Sequence, residues 1–208
     1  MPRLILTNEF KLTHPRNRSS KRIFIAVEGF RTEKKYLKAL GDEIKTNIEI
    51  ILISRQLQHS GLSAPQYVLQ TIKQKKESTE YRIGDEFWII IDRDSWITDE
   101  IIRKCEEENI GIIINNPCFE IWILFHYLNR NQINTIKEFE NCKSVEDAIK
   151  VHDSHFSKSR PVIKRTFRGL NTAVWISKEL DISPRNSFPN NPGSRMYRLI
   201  DVSLISQS

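Results

Sequence analysis

The sequence predicts an α/β fold: a mostly parallel sheet of about four strands flanked by helices, with a C-terminal helical appendage. Three observations carry this. Four short runs, 23–27, 48–53, 86–92 and 111–115, are almost continuously apolar, the pattern of strands covered on both faces. Segments of helical periodicity lie between and after them, giving the order βαβαβαβα, which parallel strands joined by crossover helices satisfy. From about residue 130 to 208 the helical pattern continues without a good strand.

Taken in order, residues 1–21 read as an irregular basic lead-in with a proline and a serine pair. Ile-Phe-Ile-Ala-Val at 23–27 is the first strand. Thr32 caps a helix to Ile44, with Tyr36, Leu37, Leu40 and Ile44 at helical spacing. Ile-Glu-Ile-Ile-Leu-Ile at 48–53 is strand-like, and Ser63-Ala64-Pro65 opens a helix to about Lys76. Glu-Phe-Trp-Ile-Ile-Ile-Asp at 86–92 is the strongest strand pattern. Thr98 to Asn109 reads as a helix, Gly111 to Asn115 as a strand, and Asn116-Pro117 as the start of a helix to about Tyr127. Ser144–Phe156, Pro161–Leu180 and Ser194–Ile205 read as further helices. The expected organisation is a lead-in at 1–21, a core at 22–130 and a helical region at 131–208 packed on that core.

Composition excludes several classes. With 39% hydrophobic and 28% charged residues, 7 Gly and 8 Pro, the chain is neither collagen-like nor largely disordered. No apolar run approaches the ~18 residues of a membrane span, and the N-terminus lacks the pattern of a secretory signal. Cys105, Cys118 and Cys142 are odd in number and widely spaced, against a full disulfide framework or a structural zinc site. A reducing cytoplasm is the expected location. The net charge of +6 is unevenly spread: residues 1–22 carry +5, 158–208 carry +6, and the segment between carries −5. Basic ends can grip a polyanion while central acids hold a divalent cation, although basic ends also serve simply as solvated surface.

The acids fall where an open parallel sheet places its functional groups, at the carboxyl ends of strands. Glu28-Gly29 follows the first strand, Asp92-Arg93-Asp94 ends the third, and Asn115-Asn116-Pro117 ends the fourth, with Glu120 just beyond. Acids at i and i+2 of an extended segment project to one side and repel unless a cation bridges them, and carboxylate oxygens suit Mg²⁺; the alternative is a solvated loop with incidental acids. Gly29 permits a tight turn and close approach of a ligand. Glu33 either favours the helix start electrostatically or turns toward the metal, and Glu120 has the same helix-start alternative. Arg93, between the acids, is expected to point away and act structurally. Lys158, Arg160, Lys164, Arg165 and Arg168 are candidate phosphate contacts or a solvated face, and Arg195 and Arg198 are candidates at i and i+3. His126 reads as a core histidine, His152 and His155 as a weak metal or proton-transfer pair, and Trp88, Trp122 and Trp175 as core anchors.

Glu28-Gly29 after one strand and Asp92-x-Asp94 after a later one resemble the Toprim pattern of topoisomerases, primases, small nucleases and overcoming-lysogenization-defect nucleases. Val-Glu28-Gly-Phe-Arg-Thr-Glu33-Lys-Lys-Tyr36-Leu, Phe-Trp-Ile-Ile-Ile-Asp92-Arg-Asp94 and Asn116-Pro117-Cys118-Phe119-Glu120-Ile-Trp122 resemble the RloB family more closely. So does Asn191-Pro192-Gly-Ser-Arg-Met-Tyr197-Arg-Leu-Ile, and the resemblance spans roughly 21–202. It implies a Toprim-like, Rossmann-like core and a phosphodiester-cleaving effector of bacterial anti-phage abortive infection, working with an AAA- or ABC-type ATPase. By the Toprim pattern Glu28 is a general acid/base or metal ligand, Asp92 and Asp94 bind Mg²⁺ (or Mn²⁺), and Glu120 is an additional catalytic acid. Glu33, five residues after Glu28 where many Toprim proteins have a spacing of four, is a further metal candidate.

The expectation is thus a metal-dependent nuclease acting on DNA, or on RNA such as tRNA. The alternative is a non-catalytic nucleic-acid-binding or regulatory subunit of an ATPase-containing complex. A nucleotidyl transferase is disfavoured because no GxxxxGK[ST] loop is present. No membrane association is expected, and self-association stays open.

Overall fold

The structure, a computed structural model, describes residues 9–11, 21–29, 31–43, 48–53, 64–93, 99–159, 167–184, 189 and 192–201. The chain forms β1 (Glu9–Lys11), β2 (Lys21–Val27), α1 (Thr32–Glu43), β3 (Ile48–Ile53), α2 (Ala64–Ser78), β4 (Glu86–Asp92), α3 (Asp99–Glu107) and β5 (Gly111–Asn116). There follow α4 (Glu120–Phe125), a 3-10 helix over Arg130–Glu138, α5 (Cys142–His152), α6 (Leu170–Leu180), β6 (Gly193–Ser194) and α7 (Met196–Ile200).

One six-stranded sheet has the order β1-β3-β2-β4-β5-β6. The four inner strands are parallel, with Ile23 opposite Ile50 on one side and Glu86 on the other, and Asp92 opposite Asn115. Alternate side chains feed two cores. Ile23, Ile25, Ile50, Leu52, Ile90 and Ile113 face α1 and the helices that follow β5, whereas Phe24, Ala26, Ile51, Ile53, Ile89 and Ile91 face α2 and α3. Cover on both faces is why these runs are apolar at consecutive positions rather than at every second one. Val145 and Ile149 of α5, Ala173 and Ile176 of α6, and Met196 and Leu199 of α7 join the first core. No helix among the described residues is long and apolar enough to cross a membrane.

The differences from the sequence reading lie at sheet edges and helix starts. The basic lead-in is not irregular throughout: Glu9–Lys11 pairs antiparallel with β3, and β2 begins at Lys21 rather than Ile23. The C-terminal region is not purely helical, because Gly193 and Ser194 pair antiparallel with Asn116 and Asn115. Edge strands of two or three residues take their stability from backbone pairing with a strong neighbour, so their side chains carry little pattern. The helix expected from Asn116-Pro117 starts only at Glu120, since the ladder to β6 holds Asn115 and Asn116 in the sheet; the Asn116–Pro117 peptide is cis. Helix α5 begins two residues earlier than expected, where Asn141 accepts the Ser144 N–H in a capping box. It ends at His152, ahead of the expected Phe156.

Candidate active site at the carboxyl edge of the sheet

Parallel pairing of β2 with β4 brings Glu28 and Asp92 together. The Glu28 N–H donates to Ile90 O at 3.1 Å, continuing the ladder one residue past β2. Its carboxylate turns back, and Oε2 accepts the Asp92 N–H at 3.3 Å. Asp92 closes β4, and the next residue stays anchored because the Arg93 N–H donates to Asn115 O at 2.7 Å.

Two helix starts bring further acids to this rim. Glu33, in the first turn of α1, is buried, as is Glu120 at the start of α4. A Cβ on Gly29 would fall inside the Glu33 carboxyl, so the glycine leaves the space that this side chain fills. Thr32 donates its hydroxyl to Glu120 Oε1 at 2.7 Å, tying the first turn of α1 to that of α4.

The electrostatics are those of crowded like charges. Burial, then the fields of Glu33, Glu120, Glu28 and Cys142, push Asp92 up to about 9. Burial is also the main cause raising Glu33 to about 7, with Glu120 and Glu28 adding to it and Lys158 opposing. Lys158 lies 3.7 Å from Glu120 Oε2 and 3.1 Å from Glu146 Oε1. Burial opposes its charge, yet Glu120 and Glu146 hold the ammonium above the ordinary lysine range. Lys35 donates to Ser159 O, fastening the segment that carries Lys158 over α1.

Glu28, Glu33, Asp92 and Glu120 therefore share one electrostatic neighbourhood. Asp94 lies outside the described residues, as do Arg160, Lys164 and Arg165. Lys158 is at the acid cluster rather than on a separate basic face. Arg168 is exposed on the turn before α6. Arg195, expected on a nucleic-acid-binding face with Arg198, is instead buried and precedes α7. Its Nε and Nη2 donate to Asp181 at 3.1 Å each, so it cannot reach a phosphate. Arg198 is half-buried and donates to Pro184 O at 2.7 Å. Arg93 turns to Pro189 O at 2.6 Å, a structural role.

His126 is buried against Tyr36, with Nε2 at 3.2 Å from the phenol oxygen. His152 stacks on Tyr127 and His155 contacts Ser154. Two features of the site escaped sequence reading: Glu146 as the partner of Lys158, and Cys142 of α5 as a contributor to the field on Asp92. Neither has a local spacing signal, because both depend on α5 packing against α4.

Among the described residues, no group of three or more His, Cys, Asp and Glu side chains is arranged to hold a metal ion. The donor chemistry nevertheless suits a hard divalent cation. The acids supply carboxylate oxygens, and their mutual repulsion is what a cation would relieve. No protein of curated function and no solved structure matches the chain. The family model for RloB-like proteins matches residues 23–202, nearly the whole length, and the chain belongs to the RloB-like family.

Proposed function

We propose that this protein is a metal-dependent nuclease that hydrolyses phosphodiester bonds of DNA, or of RNA such as tRNA. The observation that carries the reading is the convergence of Glu28, Glu33, Asp92 and Glu120 at the carboxyl edge of a parallel sheet, where Asp92 is held near 9 by burial and the other acids. Acids are buried together against their own repulsion at functional sites more often than elsewhere.

Glu28, Asp92, Asp94 and Glu33 would hold Mg²⁺ or Mn²⁺, which when bound supplies a more acidic water and neutralises charge on the phosphate. The remaining work falls to the chain. The Asp92 N–H fixes the Glu28 carboxylate at the rim, where it would orient water or a metal. Glu120 accepts from Thr32 with Oε1 and faces Lys158 with Oε2, an arrangement suited to moving a proton at that oxygen. Lys158, beside Glu120 and Glu146, would contact a phosphate oxygen. In the cell this activity would serve as the cytoplasmic effector of an anti-phage abortive-infection system with an AAA- or ABC-type ATPase.

A second reading is a non-catalytic nucleic-acid-binding or regulatory subunit, favoured by Lys158, which already neutralises part of the acid cluster. The test incubates the purified protein with plasmid, single-stranded DNA and total tRNA, in Mg²⁺, Mn²⁺ or chelator, alone and with the ATPase. Asp92→Ala, checked for a native melting temperature, runs beside it. Metal-dependent cleavage abolished in the folded variant is the expected result. Binding without cleavage under every condition would favour the second reading.

A further inference from the structure

Helix α1 carries its surface charges against its own dipole. A helix favours acids in its first turn and cations in its last. Here Arg31 precedes α1, Lys34, Lys35 and Lys38 lie in its first two turns, and Asp42 and Glu43 end it. Glu33, the acid of the first turn, is buried in the rim, which leaves the surface of that turn to the cations. Lys34 and Lys38, four apart, also repel each other. This order weakens the helix, so its use lies in what the cations face. Arg31, Lys35 and Lys38 stand at i, i+4 and i+7 on one side of the helix and are all exposed, opposite Tyr36, Leu37 and Leu40 in the core. The same end of α1 reaches the rim, where Thr32 touches Glu120. Lys35 donates to Ser159 O, which brings Lys158 alongside. An ammonium has three N–H groups, so that bond leaves two for another acceptor.

We propose that Arg31, Lys35 and Lys38 form a track that binds the phosphate backbone of a polynucleotide and leads it past Lys158 to the acid rim. From Arg31 to Lys38 is about 10 Å along the helix, the rise over which one strand of a duplex presents roughly three phosphates. The buried acids alone would repel such a strand; cations beside them supply the attraction, and counterions released from the phosphates add to it. Contacts to phosphate fix the position of a strand without reading its sequence. The track takes the place of Arg195, whose guanidinium is committed to Asp181. It rests on the nucleic-acid reading of the rim and names the surface that presents the strand to it.

The test measures, by fluorescence anisotropy in chelator, binding of the full-length protein to a labelled DNA single strand, its duplex and total tRNA between about 50 and 200 mM salt. Arg31→Gln/Lys35→Gln/Lys38→Gln should bind at least about tenfold more weakly at the low-salt end. Its slope of log affinity against log salt should be shallower by about 2 on the single strand and about 3 on the duplex. The charge-conserving Arg31→Lys/Lys35→Arg/Lys38→Arg should keep the wild-type values. So should Lys73→Gln/Arg103→Gln/Lys104→Gln, which removes the same charge from α2 and α3 on the other side of the sheet. Lys38→Gln alone changes one exposed side chain and should flatten the slope by about 1, so the test does not hang on the triple variant folding. Wild-type affinity and slope in the α1 variants, or an equal loss in the α2–α3 variant, would overturn the track and leave the nuclease reading standing. Lost binding in the α1 variants, with no cleavage by the wild type under any condition, would uphold the track and remove the nuclease reading. A wild type that binds none of the three probes would overturn both.

Discussion

The hydroxyl of Thr32 donates to Glu120 across 88 residues of sequence, at 2.7 Å and out of contact with solvent. This bond joins the first turns of two helices that leave neighbouring parts of the same sheet edge. A charged acceptor makes it stronger than a bond between neutral groups, and a buried carboxylate left without its donor is costly. Thr32→Val keeps the shape and removes the donor, so it should destabilise the fold by about 1–3 kcal/mol. Thr32→Ser should recover most of that loss, and urea unfolding of the three proteins checks both.

Gly29 and Glu33 make a second coupled pair. Because a Cβ at position 29 would occupy the space of the Glu33 carboxyl, Gly29→Ala should cost about 1–3 kcal/mol through overpacking. With Glu33 shortened to alanine the clash disappears. A double-mutant cycle should therefore give a large coupling energy, and Gly29→Ala should be nearly silent in the Glu33→Ala background.

The raised acids make stability depend on pH with a definite sign. Asp92 near 9 and Glu33 near 7 in the folded state exceed their ordinary values of 3.8 and 4.5. Between those limits the folded chain holds protons that the unfolded chain has lost. Their stabilising effect is complete below about pH 4 and is lost as pH climbs through 7 for Glu33 and 9 for Asp92, at up to about 1.4 kcal/mol per pH unit for each group. In chelator, thermal melts should show a melting temperature falling from pH 5 to 9. Asp92→Asn should flatten that slope and exceed wild type in stability at pH 8, a trade of fold stability against site chemistry.

Arg195 and Asp181 form a buried ion pair, further bound by Tyr197 Oη at 2.8 Å from Asp181 Oδ2. Arg195→Met removes the two-pronged contact, leaves Asp181 to Tyr197 and to Arg198 at 3.6 Å, and should cost about 1.5–3 kcal/mol. Arg195→Lys should also be destabilising, because an ammonium cannot reproduce the two-pronged contact. Circular dichroism melts measure the effect, and nucleic-acid affinity of the folded Arg195→Lys protein should stay at the wild-type level.

The inner sheet was legible because Ile23, Ile50, Ile89 and Ile113 belong to runs that burial on both faces keeps apolar. Glu28 and Asp92 were legible for the same reason, since each interrupts such a run where it reaches solvent. Strand β6 was not, because Gly193 and Ser194 owe their conformation to the backbone of Asn115 and Asn116 rather than to their own side chains. Arg195 was misplaced because position alone does not distinguish a solvated arginine from one satisfied by an aspartate fourteen residues away. The link from Lys158 to Glu120 and Glu146 arises only when the packing of α5 on α4 exists.

The antiparallel pairing of Ser194 with Asn115 bears on the timing of synthesis. An emerging chain lays down β2, β4 and the start of α4 early, so every acid of the rim is made before residue 121. The strand that completes the sheet beside them, and the α7 side chains that fill the core under α4, arrive some seventy residues later. Domains generally fold as units during synthesis, so the rim reaches its final form only as the ribosome nears the end of this segment. A nascent chain thereby carries the acids of the rim before the structure that positions them is complete.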